Sequence, residues 1–84
     1  MRPRVTIYSR PGCHLCGDAK DLLEGLRGRA EFDLAEVNID TDEELRRLYG
    51  EEVPVVTIDG RKAFKYYVEA EEFLKKLRAR SPSG

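Results

Sequence analysis

The chain's two cysteines, Cys13 and Cys16, stand as Cys13-His14-Leu15-Cys16 between an apolar run, Val5-Thr6-Ile7-Tyr8, and a helical pattern. A thiol at a strand-to-helix junction lies where the helix dipole and free backbone N–H groups favour negative sulfur. A second thiol three residues on shares the helix face and comes within reach of the first. That arrangement opens and closes a disulfide. Cys13 is the expected nucleophile: its thiolate attacks a target disulfide to form a mixed disulfide. Cys16, one turn inside the helix and more buried, then attacks Cys13 and frees the reduced target. Arg10 and His14 would add positive charge beside the first sulfur.

Two other uses of the pair have to be weighed. A permanent staple closing the four-residue loop from Cys13 to Cys16 would remove little unfolded-chain entropy and add little stability. A metal carrier is the other functional reading, but structural zinc takes about four ligands. The chain offers two Cys and one His, and His14 lies between the cysteines. No metal ligands are assigned.

The elements that must hold these thiols follow from the pattern around them. Val5 to Tyr8 reads as a strand and Ser9-Arg10-Pro11-Gly12 as loop. Ala19, Leu22, Leu23 and Leu26 mark one helix face, with Gly28 as a C-terminal stop. Phe32 to Ile39 reads as a second strand, apolar on both parities and therefore expected to be covered on both faces. Asp40-Thr41 opens a second helix, in which Thr41 and Glu44 have capping-box spacing. Leu45, Leu48 and Tyr49 form its apolar stripe and Gly50 ends it. Val53 to Ile58 is a third strand, Asp59-Gly60 a hairpin turn, and Arg61 to Lys65 a fourth strand. Ala70, Phe73, Leu74 and Leu77 mark a last helix, acidic early and basic late through Arg80, which suits the macrodipole. The order is β-α-β-α-β-β-α, an α/β class. The first two strands should be parallel through a right-handed crossover.

At 84 residues one domain is expected, spanning 1–80, with 81–84 as a frayed tail. Lys and Arg number 15 against 16 Asp and Glu, so no net field argues for nucleic acid or a membrane surface as partner. No apolar run approaches the roughly 20 residues that cross a bilayer. Met1-Arg2-Pro3-Arg4 leads straight into a strand with no signal peptide, so a cytoplasmic location is expected. A close cysteine pair there cycles or binds metal more often than it staples.

From about Val5 to Leu77 the chain resembles the glutaredoxin family of the thioredoxin superfamily. The segment Tyr8-Ser9-Arg10-Pro11-Gly12-Cys13-His14-Leu15-Cys16, the pair Val53-Pro54 and the turn Asp59-Gly60 carry the resemblance. It implies a thioredoxin fold, a four-stranded mixed sheet with helices on both faces, and a thiol–disulfide oxidoreductase whose catalytic residues are Cys13 and Cys16. It also implies a substrate site made by Tyr8, Arg10, His14, Val53 and Pro54. In that site Arg10 helps hold the glutathione carboxylate. A cis Val53-Pro54 bond faces the thiols and presents backbone to the bound peptide or glutathione. The expected partners are disulfide-containing proteins, with glutathione or a thioredoxin-type reductase as electron donor. No bound cofactor is expected, and the chain is expected to be a monomer. Proteins of this kind also hold iron–sulfur clusters between two subunits, which keeps a carrier role as the alternative. Where the family has Gly-Gly, a small polar residue and Asp, this chain has Phe64, Lys65, Tyr66 and Tyr67, whose side chains crowd the approach of glutathione.

Overall fold

A computed structural model describes residues 2–79 of the chain. The expected frayed tail at 81–84 and the basic Arg80 lie outside those residues. The elements run β1 (Arg4–Ser9), α1 (His14–Leu26), β2 (Asp33–Asn38), α2 (Glu43–Tyr49), β3 (Val55–Ile58), β4 (Arg61–Lys65) and α3 (Ala70–Ala79). The strands form one mixed sheet in the order β2-β1-β3-β4. β1 is parallel to β2, and the β1–β3 and β3–β4 pairs are antiparallel. This is the α/β architecture expected from the sequence.

Strand alternation sets the layers. Val5 and Ile7 share one face with Val56 and Ile58, and that face is buried with Ala19, Leu23 and Leu26 of α1 and Phe73 and Leu77 of α3. Phe32 completes this core by meeting Phe73 edge-on, with ring centroids 5.3 Å apart. Tyr8 points to the opposite face, where its ring packs on Tyr49 of α2 at 4.8 Å. Asp59 and Gly60 both have positive φ, 52° and 87°, as a tight two-residue hairpin turn demands. A bulge between Val56 and Thr57 adds one residue to β4 beside Ala63.

Several boundaries differ from the sequence expectation. β2 is an edge strand, so Ala35 and Glu36 are exposed, and only Leu34 and Val37 are half-buried. Leu34 and Val37 lie on opposite faces, so both faces are covered in part, and neither is covered fully. Ile39, expected in the strand, is fully buried in a short 3₁₀ turn (Ile39–Thr41). That turn moves the start of α2, and Asp42 rather than Thr41 caps it. The Asp42 carboxylate accepts from Glu44 N at 2.8 Å and Leu45 N at 3.4 Å. Thr41 instead donates its hydroxyl to the Asn38 carbonyl at 2.8 Å. The α2 stripe buries no residue fully, and Leu48 remains 56% exposed. α1 ends at Leu26 with Arg27 as its cap, ahead of Gly28. β3 begins at Val55, because Val53 and Pro54 form the approach to the strand.

Candidate active site

Ser9 ends β1, and the chain then turns back on itself before α1. Cys13 N donates to the Arg10 carbonyl at 3.3 Å, closing a turn with Pro11 and Gly12 at its centre. Gly12 has φ 79°, the positive value that a type II turn requires at its third position, and Pro11 presets the second. The turn delivers Cys13 as the N-cap of α1 with extended backbone. Its sulfur takes the place of a capping oxygen: Cys16 N donates to Cys13 Sγ at 3.1 Å. The pair is disulfide-bonded, with Cα atoms 5.2 Å apart. Cys16 lies on the buried face of the helix with Ala19 and Leu23, whereas Cys13 is half-exposed. One sulfur therefore meets solvent at a helix N-terminus and the other backs onto the core.

The approach to β3 lies at the same end of the sheet. Val53-Pro54 is a cis peptide bond. Tyr8 faces Val55 across the β1–β3 ladder, so Pro54 falls beside Ser9 at the sheet end from which the cysteine loop departs. β4 holds this approach from the far side. Tyr66 N donates to the Pro54 carbonyl at 2.9 Å and also to the Glu52 carbonyl at 3.3 Å. The Glu52 carboxylate reaches Lys62 Nζ at 2.7 Å and Lys65 Nζ at 3.9 Å. The hydrogen bond from Lys62 holds the Glu52 carboxyl below the usual carboxylate range.

The other expected binding residues are placed less uniformly. Arg10 follows β1, but its guanidinium is engaged: Nε meets Asp40 Oδ1 at 3.1 Å and one terminal nitrogen meets the Gly50 carbonyl at 3.4 Å. It clasps the loop before α2 to the loop after it. Tyr8 is half-buried against Tyr49 on the α2 face. His14 is the exposed first residue of α1. Among the described residues no group of three or more His, Cys, Asp or Glu side chains is assembled to hold a metal ion. No helix of the described residues is long and apolar enough to cross a membrane.

Sequence reasoning missed a polar clasp beneath the cysteine loop. Ser9, only 5% exposed, donates its hydroxyl to Glu36 Oε2 at 3.0 Å, and Lys20 Nζ meets Glu36 Oε1 at 3.1 Å. The only signal was register: Glu36 pairs with Ile7 and so shares the face that carries α1, one turn past Cys16. The hydrogen bond from Lys20 holds the Glu36 carboxyl below its ordinary value, against a smaller opposing effect of burial. The same bond raises Lys20. A carboxyl lowered by folding contributes stability above its unfolded value, and that stability disappears as pH falls through the folded value. Denaturant midpoints are therefore expected to drop once pH falls below about 4.5, the ordinary value of the Glu36 carboxyl. Glu36→Gln should flatten that drop, leaving the part due to Glu52. An unchanged acid limb would show that the clasp is not coupled to folding.

The glutaredoxin-like domain family (DUF836) matches residues 4–78. A glutaredoxin of Haemophilus influenzae is 43% identical over 65 residues, covering 68% of this chain and 75% of that protein. The solution structure of protein Ne2328 from Nitrosomonas europaea superposes with a TM-score of 0.80 at 29% identity, covering 90% of this chain and 92% of that one. Fasciola hepatica thioredoxin, at 20% identity, shares the fold with a TM-score of 0.65 over 95% of this chain and 82% of its own. With the disulfide-bonded pair capping α1 and a cis Val53-Pro54 bond at the same end of the sheet, the chain belongs to the glutaredoxin-like domain family.

Proposed function

We propose that the protein is a thiol–disulfide oxidoreductase that reduces protein or low-molecular-weight disulfides through Cys13 and Cys16. The observation that carries this reading is the Cys16 amide aimed at Cys13 Sγ from the first turn of α1. A donor in that position, with the partial positive end of the helix behind it, favours the anionic sulfur that attacks disulfides. The Cys13 thiolate attacks one sulfur of the substrate, forming a mixed disulfide and expelling the other sulfur as a thiolate that takes up a proton. The Cys16 thiol loses its proton and attacks Cys13 Sγ, so the second substrate sulfur leaves as a thiolate. The substrate gains two electrons and the protein keeps the Cys13–Cys16 disulfide. A thiol or dithiol donor, glutathione or a thioredoxin-type reductase, returns the pair to the reduced state. A cytoplasmic setting, where thiol pairs cycle more often than they staple, suits this chemistry. In this reading a substrate backbone lies along Val53 and Pro54, at the sheet end from which the cysteine loop departs.

The test is equilibration of the protein in defined thiol–disulfide buffers, with free thiols counted by alkylation. A reversible two-electron couple between Cys13 and Cys16 is expected, with Cys13 alkylated faster than Cys16 at neutral pH. Thiols that never pair and never react would overturn the reading.

A further inference from the structure

Tyr66 has φ 73°, a region that side-chain-bearing residues rarely enter. Tyr67 N donates to the Lys65 carbonyl at 2.9 Å, so Tyr66 is the central residue of a three-residue γ-turn of the strained, positive-φ kind. Backbone strain of this sort persists where surrounding contacts over-determine it, and it clusters at functional sites. Here the contacts are the two bonds from Tyr66 N to the Pro54 and Glu52 carbonyls. A glycine would adopt this φ without strain. The turn ends β4 and leaves two neighbouring phenol rings in solvent, Tyr66 at 42% and Tyr67 at 72% exposure. Lys65 and Tyr8 both face Val55, so the turn lies two strand spacings, about 10 Å, from the end of β1. Leu15, inside the cysteine motif itself, is a further exposed apolar side chain at 46%.

The charges at this end of the sheet disfavour an anionic ligand. Arg10 is paired with Asp40, and Lys62 and Lys65 with Glu52. Lys65 Nζ also lies 5.7 Å from the centre of the Tyr66 ring. The depression beside Cys13, about 340 Å³, is lined by Gly12, His14, Gly17, Asp18 and Asp21 as well as Cys13 itself. Its two aspartates repel the carboxylates of glutathione.

We propose that Tyr66 and Tyr67 are a specificity platform for the polypeptide flanking a target disulfide, selecting protein disulfides with apolar neighbours over glutathione disulfide. The proposal rests on the dithiol reading and refines its substrate class. The extended segment carrying the attacked cysteine lies along Val53 and Pro54, and its apolar neighbours cover the exposed rings. Burial of part of an aliphatic side chain against an aromatic surface corresponds to about a tenfold gain in second-order rate.

The test is a single-turnover assay with pre-reduced protein and three probes. They are a leucine-flanked cysteine peptide disulfide-linked to thionitrobenzoate, its serine-flanked counterpart, and glutathione disulfide. Wild-type protein should reduce the leucine-flanked peptide about tenfold faster than the serine-flanked one, through a lower KM. The Tyr66→Gly, Tyr67→Ser double variant should lose that preference, and the Tyr66→Phe, Tyr67→Phe variant should retain it. Glycine at Tyr66 relieves the positive φ, so the first variant is not expected to unfold. Alkylation of Cys13 reports whether the nucleophile is intact. Equal rates for the two peptides, or a preference that survives the double substitution, overturn the platform while leaving the dithiol reading in place. Reduction of none of the three probes overturns both.

Discussion

Cys13→Ser is expected to abolish disulfide reduction, lowering turnover by more than about a thousandfold, while Cys16→Ser accumulates a mixed disulfide with its substrate. The asymmetry follows from the two sulfur environments. Cys13 caps α1, is half-exposed and accepts the Cys16 amide at 3.1 Å, whereas Cys16 is 3% exposed on the core face. Only the first sulfur is accessible to an incoming disulfide. A serine hydroxyl in its place could still accept the amide and cap the helix, so folding should survive while the nucleophile is lost. With Cys16 replaced, the first attack proceeds but nothing within the chain resolves the product. Mass spectrometry of the two variants after incubation with a disulfide-bonded peptide separates the roles. An adduct on Cys13→Ser, or full turnover by it, would reverse the assignment. Turnover by Cys16→Ser with added thiol would show that an external thiol resolves the intermediate.

How much of this was legible in the residues depended on the range of the interaction. The junction of Val5–Tyr8 with the cysteine motif, the Asp59-Gly60 turn and the apolar periods of α1 and α3 are local signals, and the structure places them as expected. The start of α2 was misplaced because Asp40, Thr41 and Asp42 all suit a cap. The burial of Ile39 in a 3₁₀ turn selects Asp42, a tertiary choice that spacing does not reveal. The reading of β2 held in part: Leu34 and Val37, on opposite faces, are half-buried, while Ala35 and Glu36 of this edge strand stay exposed. Within the candidate site, the thiols were legible from the motif and its place between strand and helix, and the cis proline only through the family resemblance. The engagement of Arg10 by Asp40 was not, because it joins residues 30 apart. The Tyr66 turn carried no sequence signal at all, since tyrosine is an unusual residue for positive φ. The features found only in the structure are long-range pairings and strain, and both border the site.

Phe73→Ala should cost about 3–5 kcal/mol of folding stability, the usual range for deleting a buried aromatic ring. Phe73 is fully buried, meets Phe32 edge-on at 5.3 Å and lies 6.5 Å from the Phe64 ring. Through it α3 meets both the segment leading into β2 and the end of β4. Domains of this size sit near the low end of the usual 5–15 kcal/mol, so the variant should be substantially unfolded or close to it at ambient temperature. Urea titration followed by circular dichroism gives the loss directly. A cost below about 1.5 kcal/mol would mean that neighbouring side chains collapse into the space, contrary to the close-packed core seen here. Phe73→Leu keeps most of the apolar volume and should cost less, leaving a folded protein whose activity can be measured. In that variant the consequence should appear at the site. Phe64 precedes the Tyr66 turn by two residues, and the Tyr66 amide holds the Pro54 carbonyl. Loosening Phe64 should therefore raise KM for peptide disulfides while leaving the alkylation rate of Cys13, anchored on α1, close to that of the parent. An equal loss in both readouts would locate the coupling in α1 instead.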